Sequence, residues 1–285
     1  MRVVVASGKG GTGKTTVATS LAFVAGEAVR FLDCDVEAPN AALFLAPKLE
    51  TRKEVGIQLP VVDEALCTHC GRCVEVCEFH AIAVIGKKTL IFPELCHGCG
   101  SCTLICPEKA ISERLDVMGV LEGGFTSEGI DFAQGVMNVG EPMAVPILRE
   151  LKKWPAARPF DIEIRDAPPG ASCPVVETMR GSDFILLVTE PTPFGLHDLK
   201  QVVGITHELG IPAGVVINRD GIGDNAVETY CAETGLPVLM RIPMERRFAE
   251  AIASGETLVR AAPEYREKFL ALLFQIQGYV RAVLP

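Results

Sequence analysis

The sequence predicts a doubly wound, mostly parallel α/β sheet interrupted by a cysteine-rich insert. Three observations carry that prediction. Short continuous apolar runs at Val3–Val5, Phe184–Thr189, Gly214–Asn218 and Val238–Ile242 suit strands covered on both faces. Helical stretches separate these runs, which implies parallel strands joined by right-handed crossovers. Residues 60–112 break the alternation with two cysteine clusters and short strands. The domain reading is therefore an α/β domain in two parts, 1–59 and 113–285, with the insert at 60–112 between them.

Composition supports a globular chain. Its 285 residues allow one or two domains with a substantial core, and 48% of them are apolar. The net charge is −9 and no basic run occurs, which argues against nucleic acid as the main partner. No charged n-region, apolar h-region and cleavage site precede the Val3–Val5 strand, and no apolar run approaches the roughly 18 residues of a membrane span. A cytoplasmic location is the expectation. The stretch Phe269–Leu284 is amphipathic, with Phe269, Leu272, Leu273, Ile276 and Val280 at helical spacing. Its polar face is poor in Lys and Arg, which favours a packed terminal helix over a membrane anchor.

Eleven cysteines are present, eight of them in the insert. Cys67, Cys70, Cys73 and Cys77 recur as Cys96, Cys99, Cys102 and Cys106 at a constant offset of 29, and Ala81-Ile82 recurs as Ala110-Ile111. A duplicated unit this short lacks a core of its own unless bound metal supplies one. Each half reads C-x2-C-x2-C-x3-C. Three cysteines at that spacing wrap one corner of a cubane, and the fourth reaches the neighbouring cluster. The expected ligand sets are Cys67, Cys70, Cys73 and Cys106 for one 4Fe–4S cluster, and Cys96, Cys99, Cys102 and Cys77 for the other. Structural zinc is the alternative, but zinc-ribbon spacing differs. His69 and His80 stand beside the cysteines and read as solvated neighbours rather than ligands. The segment resembles two-cluster bacterial ferredoxins over about 50 residues. Pro107 completes that signature after Cys106, whereas Glu78 takes its place after Cys77.

Directly after the first strand, Gly8-Lys9-Gly10-Gly11-Thr12-Gly13-Lys14-Thr15 satisfies G-x4-G-K-[ST] and opens a helix. Such a loop turns its N–H groups toward phosphate oxygens, and the helix dipole adds to the attraction. Lys14 is expected on the β- and γ-phosphates of ATP, Thr15 on Mg²⁺ and Thr16 on the α-phosphate. By composition alone Lys9 could equally be a solvated surface lysine.

With Lys9 at that position, the loop resembles the deviant Walker A group, which includes MinD, ParA, Mrp and the nitrogenase iron protein. The resemblance covers nearly the whole chain outside 60–112. It implies an ATPase that works as a homodimer or as a heterodimer with a similar ATPase. Lys9 would reach across the dimer and neutralise transition-state charge. Phe31–Asp35 would form the first nucleotide-sensing loop, with Asp35 orienting the attacking water and Asp33 and Asn40 as lesser candidates. Asp166-Ala167-Pro168-Pro169-Gly170 would form the second, with Asp166 holding Mg²⁺ through water and Gly170 near the γ-phosphate. Asn218, Arg219 and Pro243 match base-contacting positions. Glu163 and Arg165 are unexpected charges in the strand before Asp166 and imply either a pair or a less buried face.

Cys34, Cys173 and Cys231 remain. Cys34 and Cys231 read as small buried residues. Cys173 follows Asp166 by seven residues, where the nitrogenase iron protein places a ligand of a bridging cluster. A third cluster between subunits, a transient transfer site and a semi-buried thiol all stay open for it. Three functions compete: ATP-gated electron transfer with a redox partner, an Mrp-like carrier serving an iron–sulfur client, and a positioning ATPase. Eight cluster ligands are hard to justify for the last.

Overall fold

The computed structural model describes residues 1–283; Leu284 of the amphipathic stretch lies outside them. The strands are β1 (Arg2–Ala6), β2 (Val29–Asp33), β3 (Lys48–Val62), β4 (Ile82–Ile85), β5 (Lys88–Ile91), β6 (Ile111–Phe125), β7 (Asp131–Met137), β8 (Ile162–Asp166), β9 (Phe184–Thr189), β10 (Ala213–Asp220) and β11 (Val238–Pro243). Among the described residues nine of them form one sheet in the order β11-β10-β9-β1-β8-β2-β7-β6-β3. β1 lies between β8 and β9 and runs parallel to both, with Val3 opposite Ile164 and Phe184. β2 is parallel to β8 and β7, and β10 to β9 and β11. The predicted α/β class with a mostly parallel sheet is therefore observed.

The chain divides into two compact units. The first comprises 1–53, 121–136 and the chain from 148 onward; the second comprises 54–120 and 137–147. The second unit contains residues 60–112 and extends beyond them.

In the first unit β1 is buried on both faces, as its unbroken apolar run requires. Val3 and Val5 pack with Val17 and Leu21 of the first helix, Lys14–Ala25, and with Phe269, Leu272 and Ile276 of the last helix, Tyr265–Val283. Val4 and Ala6 face the opposite layer, with Ile185, Val215, Leu199 and Val202. Full burial of each such side chain stabilises the fold by about 2 kcal/mol. The terminal helix thus buries its apolar stripe against the sheet. No described helix is long and apolar enough to cross a membrane.

The charges in β8 resolve as an ion-paired group. Glu163 accepts from Arg165 at 2.7 Å and from Arg30 at 3.2 Å, and all three are buried. Pairing offsets the cost of desolvating them.

In the second unit β3 and β6 bury Val55, Ile57, Leu59 and Met118, whereas the stretch between those strands buries few apolar side chains. Ile82, Cys102 and Ile111 are buried together, packed by Val62, Val74, Ile91 and the cysteines Cys73, Cys77 and Cys106. β4 and β5 form an antiparallel hairpin between the two cysteine runs, with Ile82 opposite Ile91. The sequence repeat is a structural repeat as well. Gly71 and Gly100 are both left-handed, at φ 83° and 74°, and each precedes a short helix, Arg72–Glu75 or Ser101–Ile105. His80 and Lys109 share a φ of 53°. Ala81 N–H donates to Cys77 Sγ at 3.3 Å, and Ala110 N–H does the same to Cys106 Sγ at 3.3 Å.

Candidate functional site

A deep site lies in the first unit, where β1 ends and the first helix begins. Gly11 and Gly13 take left-handed φ values of 78° and 87°, a conformation that side chains resist. A Cβ on Gly13 would also collide with Asn218 Nδ2. Nothing stands within 4 Å of a Cβ placed on Gly10 or Gly11, so that side of the loop is open. The adjoining cavity, of about 500 Å³, is lined by Lys9, Gly10, Gly11, Gly13, Lys14, Thr15 and Thr16, together with Asp35, Asn40, Pro169, Asn218, Arg219 and Pro243. Its apolar wall comes from Phe44, Met244, Phe248 and Ile252, which no sequence pattern had marked. Four predicted residues, Gly8, Thr12, Asp166 and Gly170, do not line it. Gly170 instead donates its N–H to Ser7 O at 2.9 Å.

Asp166 organises the polar floor. Its Oδ1 accepts from Lys14 Nζ at 2.6 Å and its Oδ2 from Thr15 Oγ1 at 2.6 Å. Asp166 is fully buried and Lys14 nearly so. Asp33, on the adjacent strand, accepts backbone N–H bonds from Asp35, Asn40 and Ala41 at 3.2, 3.0 and 2.9 Å and so shapes the loop that carries Asp35. Burial and then the charge of Asp166 push the Asp33 carboxyl up to about 7 against these bonds and Lys14. Burial also raises Asp35, with Lys14 opposing. Cys34 between them is fully buried, and desolvation pushes its thiol up to about 12, so it is inert. Cys231 is buried likewise, at about 11.

The site fits a magnesium-bound nucleotide. Asn40 Oδ1 and Thr12 Oγ1 are buried polar atoms without a hydrogen-bond partner among the described residues. Mg²⁺ prefers one or two protein oxygens beside phosphates and water, which Thr15 and Asp166 can supply.

Lys9 hydrogen-bonds Glu190 Oε1, and Arg219 pairs with Glu190 Oε2 at 3.0 Å. Burial alone would raise Glu190, but the bonds and charges of Lys9 and Arg219 hold it below the usual carboxylate range. Asn218 Nδ2 donates to Thr12 O at 2.7 Å, and Arg219 donates to Gly11 O at 2.9 Å. Asn218 and Arg219 therefore brace the phosphate loop as well as lining the cavity. Glu190 directly follows the apolar run of β9, at a strand's carboxyl end where ligands bind in open α/β sheets, and that position could have marked it.

Comparison with known proteins accords with this geometry. The CobQ/CobB/MinD/ParA nucleotide-binding domain profile matches residues 3–259. The chain belongs to that family. It is a P-loop ATPase. An uncharacterized protein of Methanocaldococcus jannaschii is 31% identical over 269 residues, covering 91% of this chain and 92% of that protein. The cytosolic Fe–S cluster assembly factor NUBP2 homologue of Culex quinquefasciatus is 25% identical over 283 residues, covering 92% and 90% of the two chains. The cell division ATPase MinD of Pyrococcus furiosus shares the fold, with a TM-score of 0.58, 22% identity and coverage of 97% and 98%.

The second unit holds two smaller cavities. Cys67, Cys70, Cys73 and Cys106 line one. Cys77, Cys96, Cys99 and Cys102 line the other. Each cavity thus draws three cysteines from one half of the repeat and one from the other. Among the described residues no three His, Cys, Asp or Glu side chains converge as a site for a single metal ion. A tetrahedral zinc ion with Zn–S bonds of about 2.3 Å would draw its sulfurs to within about 4 Å of one another. A cubane spreads its four ligands over four irons, and the donor set fits it. Cys173 is exposed at the start of the helix Cys173–Met179 and lines neither cavity.

Proposed function

We propose that this ATPase carries two 4Fe–4S clusters in a ferredoxin-like insert and couples nucleotide-driven rearrangement of a dimer to electron transfer. The observation that carries the reading is the presence of two four-cysteine cavities and a complete phosphate loop in the same chain. Four thiols per cavity, all from this chain, suit a resident cluster rather than one in transit. Bound there, each cluster supplies a one-electron couple.

At the nucleotide, Lys14 exchanges its Asp166 partner for the β- and γ-phosphates. Thr15 and Asp166 would hold Mg²⁺, which would neutralise phosphate charge, and Asp35 would orient the attacking water. Lys9 leaves Glu190 to reach the nucleotide across the dimer, so hydrolysis requires assembly. Lys9→Ala should lower kcat at least about 100-fold with nucleotide affinity kept, the cost of one transition-state donor. Unchanged turnover in that variant would remove Lys9 from catalysis.

Anaerobic purification should yield about eight irons and eight sulfides per chain. MgATP should then shift a cluster potential by more than about 59 mV, a tenfold change for one electron. Lys14→Ala should abolish the shift. Potentials indifferent to MgATP in the iron-loaded wild type would sink the coupling, and a chain without acid-labile sulfide would sink the clusters.

Similarity to the NUBP2 homologue and the exposed Cys173 favour a second reading, a carrier that delivers iron–sulfur clusters to a client. Cluster transfer to an apo-acceptor that is lost in Cys173→Ser supports this reading. Transfer that survives the substitution removes Cys173 from that role.

A further inference from the structure

The two cysteine cavities are near copies, but different groups back their sulfurs. In the cavity lined by Cys67, the Cys67 Sγ lies 3.4 Å from Thr89 Oγ1 and 3.6 Å from His69 Nδ1. Thr89 Oγ1 and His69 Nδ1 are 3.3 Å apart. A ligating thiolate only accepts, so the Thr89 hydroxyl must donate to it, leaving the hydroxyl lone pairs for the His69 N–H. Glu64 holds this arrangement from behind, with Oε1 accepting the Thr89 N–H at 3.3 Å and Oε2 at 3.8 Å from His69 Nε2.

At the repeat-equivalent position Cys96 Sγ receives the Gly98 N–H at 3.4 Å and no side-chain donor. His69 and Gly98 occupy the same place in the repeat and the same left-handed backbone, at φ 56° and 63°. Glycine takes that conformation freely, whereas a side chain costs about 1–2 kcal/mol. The first half bears this strain and places an imidazole against the thiol. The second set has side-chain neighbours of its own, but Ser101, at 3.4 Å from Cys99 Sγ, serves an exposed sulfur where water competes, and Thr103, beside Cys102, donates its hydroxyl proton to Glu113 at 2.9 Å. Thr89 is only 7% exposed, so its bond acts in a lower local dielectric. The Glu64 side chain is 51% exposed, and solvent screens its charge.

We propose that Thr89 and His69 tune the cluster held by Cys67, Cys70, Cys73 and Cys106, making it the higher-potential member of the pair and the first to accept an electron. This rests on the two-cluster reading above. Donors to a ligating thiolate stabilise the more negative, reduced cluster and so raise its potential.

The test is an EPR-monitored redox titration of anaerobically purified full-length protein, with iron counted in each sample. Thr89→Val should lower the higher of the two potentials and narrow the electron distribution between clusters about tenfold, about 59 mV. Thr89→Ser, which keeps the hydroxyl, should restore it, and His69→Gly should lower the same potential. Unchanged potentials in Thr89→Val at about eight irons would overturn the proposal, as would a shift confined to the lower one. If Thr89→Val loses iron, His69→Gly at full iron decides by the same criterion. A wild type without iron overturns the two-cluster reading itself and is recognised before any variant is titrated.

Discussion

The phosphate loop and the cysteine unit bind by opposite means. The loop works with backbone, its glycines freeing N–H groups to face phosphate, and a fully packed sheet and helix hold it in place. The cysteine unit works with side chains, and the apolar cluster around its cysteines is small, built on Ile82, Cys102 and Ile111. A site made of backbone needs the fold to exist first. A site made of thiols can be the reason that its unit folds, because the metal supplies the missing core.

Removing the iron tests that contrast most severely. Chelation should abolish amide hydrogen-exchange protection through 63–110 while β1, β8 and β9 keep theirs. Protection retained in the iron-free unit would show that it folds on its own contacts. Cys106→Ala should lower the iron count from about eight to about four per chain.

Lys14→Ala should reduce ATPase kcat/KM at least about 100-fold, since it removes a phosphate-facing charge and leaves Asp166 buried without its cation. The iron count should not change. Asn218→Ala should be milder. It removes one hydrogen bond to the loop, about 1 kcal/mol, and should weaken nucleotide affinity about fivefold by calorimetry.

Asp33 adds a pH dependence to stability. Its carboxyl is raised to about 7 in the folded chain, so between roughly pH 4 and 7 the folded state holds a proton that the unfolded state releases. Stability from this group is therefore greatest at the acid end of that window and lost as pH rises through 7. Asp33→Asn should flatten that part of the pH dependence in nucleotide-free protein, read from denaturation midpoints at pH 5 and pH 8.

Much of the sheet was legible because buried parallel strands must be continuously apolar. Phe184–Thr189 coincides with β9, and the predicted runs in β1, β10 and β11 lie within the observed strands. The long strands β3 and β6 were not anticipated. β3 opens Lys48-Leu-Glu-Thr-Arg-Lys-Glu with every one of those residues exposed, and only its second half, Val55, Ile57 and Leu59, alternates as a half-buried strand does. Glu163 and Arg165 read as an anomaly because their partner Arg30 comes from a distant strand. Thr89 carried no signal at all, since a threonine in a short hairpin is ordinary until a cysteine is found beside it.

The sequence by itself determined what short stretches of chain can do. Eight residues make a phosphate loop, and an offset of 29 aligns two cysteine runs, because local backbone geometry governs both. Only the tertiary structure decided which distant groups meet. Glu190 holds Lys9 from 181 residues away, Asp166 holds Lys14 from 152 and Asn218 braces Thr12 from 206. Those meetings follow from the strand order β10-β9-β1-β8, which the burial of apolar faces selects and no spacing in the chain encodes.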